Sequence, residues 1–171
     1  MTLARGTNIA NALVTELNDS LRPWHVPAAQ FTAARSYAPI YTRETIGSTI
    51  RCDVVTLEND EAGADTDDGP TPRTRQDDYA INVVITAAVA DLTSNAEIDA
   101  LVYLVQQIHD WFERKADGTF RKFASISPPA WVADVKVPAL YDPDELIDNG
   151  LFICPIELTA RQRRKPAGGT P

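Results

Sequence analysis

At 171 residues, 44% apolar and 23% charged, the chain has the make-up of a single globular domain that buries a core without covalent staples. Its net charge of −8 and pI near 4.7 argue against a nucleic-acid-binding domain, because phosphate neutralisation needs a basic surface. No apolar run follows the single basic residue of Met-Thr-Leu-Ala-Arg-Gly and no stretch reaches membrane-spanning length, so folding in the cytoplasm without a secretion signal is expected.

Ile9, Leu13, Leu17 and Leu21, with Ala10 and Val14 beside them, form one apolar stripe and predict a helix over residues 8–20. Thr7 is its expected cap and Pro23 its stop. The linker Arg22-Pro-Trp-His-Val-Pro leads to a short predicted strand over 30–37, ended by Pro39. A second strand is expected over 49–57, with Ile50, Cys52 and Val54 on one face and Arg51, Asp53 and Val55 on the other.

An acidic, Gly/Pro-bearing segment follows, with Glu58, Asp60, Glu61, Asp65, Asp67 and Asp68 giving way to Arg73 and Arg75. Asp77 and Asp78 come next, then a run over 79–89 that alternates large and small side chains. As a strand this run is about 40 Å long, as long as a domain of this size is wide, about 40 Å. It either crosses the whole domain or projects from it. Its apolar positions Tyr79, Ile81, Val83, Ile85 and Val89 are expected beneath helices.

Ser94-Asn-Ala-Glu97 reads as a capping box. Behind it Ile98, Leu101, Val102, Val105, Ile108 and Phe112 predict a long helix ending near Lys115. Strands are predicted over 120–125 and 131–137, then a helical turn over 143–147 with Asp142 as N-cap and Pro143 at its first position. A last strand is expected over 150–159, where Pro155 implies an edge position or a bulge. The expected fold is α+β: a mostly antiparallel or mixed sheet, two amphipathic helices packed on one face, and a long protruding strand pair. It forms a single domain over 1–160, followed over 161–171 by a flexible basic tail carrying Arg161, Arg163, Arg164 and Lys165.

The residues that could carry chemistry are few. His109 and Glu113 have the spacing of half a metal pair, with no second histidine on the helix. No Gly-x-Ser-x-Gly elbow or phosphate-cradling loop occurs. The carboxylates of Asp65-Thr-Asp-Asp-Gly and of residues 142–148 lack the order of a calcium loop. No catalytic, metal-ligating or cofactor-binding residue is assigned, and an enzyme is not expected. With no secretion signal, Cys52 and Cys154 are expected as reduced, half-buried thiols; a disulfide would need their strands to be neighbours. The basic cluster has no interleaved aromatic residue, so it offers no platform for stacked bases and fits an electrostatic tether or a solvated end. In a solitary domain the charges around Arg73, Arg75, Asp77 and Asp78 are a solvated strand end. In an oligomer the same residues, with the acidic segment and the basic tail, are the candidate contacts between subunits or with partners, because a ring needs two different surfaces on each subunit.

The amino-terminal helix, the strand pair and the long strand entering a helix at Ser94-Asn-Ala-Glu97 resemble tail terminator (tail completion) proteins of long-tailed bacteriophages. So does the ending Leu140-Tyr-Asp-Pro-Asp-Glu-Leu-Ile-Asp-Asn-Gly-Leu-Phe-Ile-Cys-Pro-Ile-Glu-Leu-Thr, where an acidic turn leads into the final strand. The resemblance spans residues 7–161 and is one of element order and pattern. It implies a hexameric ring at the head–tail junction of the virion that docks on the last ring of the tail tube protein, halts tube growth and meets the head–tail connector or stopper protein. DNA would pass through the lumen without sequence-specific binding, and no cofactor is implied. The longer linker over 21–30 and the basic tail depart from the shorter members. Alternative readings are another neck or connector protein, or a monomeric adaptor whose basic tail recruits an acidic partner. A hydrolase is the weakest, because no acid/base pair is placed in a pocket-like context.

Overall fold

A computed structural model describes residues 5–19, 21–22, 24–57, 75–113, 121–123 and 125–164. Its elements are α1 (Arg5–Leu17), a 3-10 turn (Ala28–Gln30), β1 (Phe31–Arg35), α2 (Arg43–Ile46), β2 (Ile50–Thr56), β3 (Arg75–Ala88), α3 (Asn95–Phe112), β4 (Lys122–Phe123), β5 (Ala130–Lys136), α4 (Pro143–Asn149) and β6 (Leu151–Arg164). The strands form one mixed sheet in the order β1-β2-β3-β6-β5-β4. Among the described strands only β1 and β2 pair in parallel. The fold is α+β.

The period-2 pattern of β3 and β6 explains the centre of the sheet. The two strands pair from Arg75↔Arg164 to Ala88↔Leu151. Tyr79, Ile81, Val83 and Ile85 of β3 and Phe152, Cys154, Ile156 and Leu158 of β6 are all buried. Ile9, Leu13 and Leu17 of α1 and Leu101, Leu104, Val105, Ile108 and Phe112 of α3 join them in one core. Each such side chain contributes about 1.5–3 kcal/mol on burial, so the seam between β3 and β6 and the helices over it hold the fold.

β3 outruns β2, whose ladder with it spans Ile81 to Thr86. Beyond that, Leu57 donates to the Ala80 carbonyl at 3.1 Å, and from Arg75 to Tyr79 the ladder partner is β6. The overhang is about 16 Å long. On its other side β5 pairs with β6 from Glu157 to Gln162, so the long pair is supported on one flank. β1, at the sheet edge, is closed by Asn18: its amide donates to the Ala33 carbonyl at 2.8 Å and accepts from the Ala33 N–H at 3.0 Å. The side chain imitates a neighbouring strand and blocks edge pairing there.

Several expectations change. α1 starts before Thr7, which is therefore internal, and ends at Leu17, where the buried Trp24 donates its indole N–H to the Leu17 carbonyl at 3.1 Å. Leu21 leaves the apolar stripe and is exposed. The capping box at Ser94 does not form, since Ser94 makes no side-chain cap bond. Glu97 instead turns back to accept from the N–H groups of Ala90 and Asp91 at 3.0 and 3.2 Å, tying down the turn before α3. A reciprocal capping box does form at Thr42 and Thr45, ahead of α2. α4 begins as expected, with Asp142 accepting from Asp144 and Glu145 and proline in the first turn.

Pro155 lies in a central strand rather than at an edge. The Ile153 carbonyl accepts from Asp142 and so points away from β3. Two residues on, Pro155 presents its missing N–H to the same flank, which β5 leaves beyond Glu157. The expected tail begins four residues too early: residues 161–164 belong to β6 and pair with β3, because the cross-strand partners that extend the ladder lie far back in the chain. The cysteines are fully buried and free. Cys52 and Cys154 both face Ile85 across their ladders, so β3 lies between them. Two strand spacings, about 9.5 Å, exceed the reach of a disulfide.

Candidate functional site

The candidate contact residues divide three ways. Glu58, Asp60, Glu61, Asp65, Asp67, Asp68, Arg73 and Lys165 lie outside the described residues. Arg75 and Arg164 close the β3–β6 ladder as a cross-strand pair. Asp77, Asp78, Arg161 and Arg163 have defined side-chain positions. Asp77 is a correction: it shares the core face of β3 and is buried opposite Gln162, whose amide donates to the Pro128 carbonyl. A side chain so placed is buried in the single chain and offers little surface for a contact.

Asp78 and Arg161 also differ from the picture of two free surface charges. They are direct cross-strand partners. The guanidinium forks onto the carboxylate through Nε and Nη2, both at 2.7 Å. The Asp78 hydrogen bond holds the Arg161 guanidinium even more firmly protonated than usual. Each side chain is about one-third exposed, so water screens the pair and its worth stays about 1 kcal/mol or less. Its main effect is to fix the register of the overhang. Arg163 is exposed, with its guanidinium 5.6 Å from the centre of the Trp131 ring. That contact is worth about 0.5–1 kcal/mol. Lys122 is exposed and stands opposite Trp131 in the β4–β5 ladder. The described part of this end of the sheet is therefore cationic.

At the other end of the sheet is a groove of about 580 Å³. Ile50, Ala87 and Leu101 form its apolar floor, and Arg43, Ser48 and Glu97 stand among its lining residues. Small side chains at Gly47, Ala88, Ala90 and Ala100 leave the space open. Gly47 takes φ 58°, a left-handed value that favours glycine. The sequence gives little sign of this groove, because its walls come from four separate segments. The alanine-rich end of β3 was the one available hint.

The face of the sheet opposite Cys52 and Val54 carries a second feature missed in the sequence. Asp53 is 2% exposed; its Oδ1 accepts from the Tyr41 hydroxyl at 3.0 Å, while its Oδ2 has no hydrogen-bond partner among the described residues. Burial pushes its carboxyl above the usual range, against the Tyr41 hydrogen bond and the Arg51 charge, which pull it down. The folded state thus holds this proton more tightly than the unfolded chain. Stability is fully present below the ordinary carboxylate value and is lost as pH rises through the raised one. Asp53→Asn keeps an oxygen for Tyr41 and removes the buried charge. At neutral pH the variant should be more stable by about 1 kcal/mol, and urea midpoints should converge with those of the parent chain as pH falls below the carboxylate range. A variant less stable at neutral pH would contradict this reading.

His109, Asp110 and Glu113 bring ligand atoms within 4.8 Å of one another on the surface of α3. His109 Nδ1 lies 3.2 Å from Asp110, an ordinary surface contact. His25 meets Gln107 at 2.8 Å and packs at a tilt against the Tyr103 ring, which pins the linker to α3. Burial pushes the Cys154 thiol up to about 12 and the Cys52 thiol higher still, so neither is a nucleophile at neutral pH. No helix of the described residues is long and apolar enough to cross a membrane.

No protein-family model matches this chain. No curated protein matches it either.

Proposed function

We propose that this chain is a virion structural protein of a long-tailed bacteriophage. It forms a ring, of six subunits in the family it resembles, at the head-proximal end of the tail tube, ends tube polymerisation and joins the tail to the head connector. The observation that carries the reading is the β3–β6 pair, which runs unbroken from Arg75↔Arg164 to Ala88↔Leu151 and outreaches β2. It gives each subunit an end, fixed by the Asp78–Arg161 fork, that differs from the apolar groove at the opposite end. A ring of heterologous contacts requires two unlike surfaces of this kind.

In this role the subunit acts by shape and charge, with no residue assigned to a chemical step and no cofactor. Its partners are further copies of itself, the tail tube protein and the connector or stopper protein. Phage lacking the chain should make tails that grow past normal length and fail to join heads. Tails of normal length joined to heads in its absence would contradict the proposal.

The acidic segment carrying Glu58, Asp60, Glu61, Asp65, Asp67 and Asp68 faces either the lumen or an adjoining ring in this reading. Like charge keeps DNA from adhering to the wall of a channel. Exchanging these six residues for their amides should leave the melting temperature near that of the parent and reduce infectivity. Full infectivity with unaltered tail length would remove the segment from the mechanism.

A further inference from the structure

We propose that the end of the sheet around Arg43 receives a second copy of this chain through the cationic end of that copy's β3–β6 pair. This rests on the ring reading and names the two surfaces that meet in it.

Arg43 gathers three segments at one point. Its Nη2 donates to the Ala90 carbonyl at 3.0 Å, and its Nη1 lies 3.3 Å from where a side chain on Gly150 would begin. Ile40, Leu92 and Ile147 each sit two or three residues along the chain from these anchor points, and they are 84%, 44% and 70% exposed. One exposed aliphatic side chain is ordinary, whereas three on the segments that meet at Arg43 add exposed apolar surface to the end that carries the groove. Asp99, Asp144 and Asp148, on the two helices that flank this end, are exposed, and among the described residues no cation pairs with them. Arg43 spends its Nη2 on the Ala90 carbonyl, and the three exposed aspartates around it outnumber it, so the rim is net anionic and its complement is cationic with an apolar element.

The far end of the molecule has that character. Arg163 is exposed above the half-buried Trp131 ring, and the exposed Lys122 stands opposite the same tryptophan. These groups cannot reach the Arg43 end of their own chain. β6 runs from Leu151, next to Gly150, to Arg164, a span of about 45 Å. Contact between the two ends is therefore contact between copies, and it is heterologous, as ring closure requires. The test addresses the cations individually.

The experiment is sedimentation of the full chain over a range of concentrations. Arg163→Glu and Asp148→Arg, each checked for an unchanged melting temperature, should each weaken self-association about tenfold, and the combined swap should restore most of it. Ile147→Ser should weaken it without regard to salt, and Asp144→Arg serves as a second reversal on the rim. Self-association that ignores all of these substitutions would overturn the assignment of surfaces while leaving the ring reading in place. A combined swap weaker than either single variant would overturn it too. A parent chain that stays monomeric at every concentration, alone and with tail tubes, would overturn both.

Discussion

Phe152→Ala should cost about 3–5 kcal/mol of folding stability, the usual range for an aromatic truncated in a closed core. Phe152 has no exposed surface. It pairs with Ala87 in the β3–β6 ladder, and its ring centre lies 5.9 Å from that of Tyr141. Ala87 offers too little volume to fill the hole, so collapse around the site is limited. Next to it, Gly150 closes α4 in the left-handed conformation, its N–H bonded to the Leu146 carbonyl, and the turn cannot slide inward without breaking that cap. The loss falls on the seam through which α4 and the long strand pair are joined. Chemical denaturation at neutral pH should show the midpoint falling with little change in slope. A loss below about 1 kcal/mol would mean that the seam is not closely packed there.

Trp24→Ala should produce a loss of similar size, about 3–5 kcal/mol. Trp24 is the anchor of the linker between α1 and β1. Its ring meets Trp111 edge-on at 5.8 Å and Phe31 at 6.4 Å, while its indole N–H caps the Leu17 carbonyl. The alanine variant loses the buried area, the aromatic pairs and the helix cap together. Trp24→Phe separates these contributions: it keeps most of the area, gives up the hydrogen bond, and should cost about 1–2 kcal/mol. Equal losses in the two variants would assign the whole effect to the cap.

The parts of this fold that could be read from the residues are those set by local pattern. The alternation over 79–89 placed most of β3, and the apolar spacing from Ile98 to Phe112 placed α3. Asp142-Pro143 gave the start of α4, because an N-cap side chain and a fixed φ act within one turn. What escaped was set by residues distant in sequence. Arg161 meets Asp78 across 83 positions, so the last residues of β6 looked like a tail. Pro155 suggested an edge, when the flank it faces is vacated only by the end of β5. Asp53 alternates correctly with Cys52 and Val54, yet its burial depends on Tyr41, twelve residues away on a loop. The groove at the Arg43 end was invisible for the same reason, since the linker, the α2–β2 turn, the end of β3 and the start of α3 all contribute to it.

The candidate contacts fared according to the same rule. Charge runs mark surface in a helix, but in a strand every second residue points inward. Asp77 and Asp78 are adjacent acidic residues with opposite fates, one in the core and one paired with Arg161.

The proposed closure of this chain into a ring on the end of a tail tube can be observed by mass. Native mass spectrometry of the purified chain, alone and mixed with preformed tail tubes, tests it most directly. A discrete closed species at six times the 18.7 kDa chain mass is expected, present alone or formed on tube ends, with no open ladder of larger oligomers. A species of 18.7 kDa at all concentrations that never joins tube ends would contradict it.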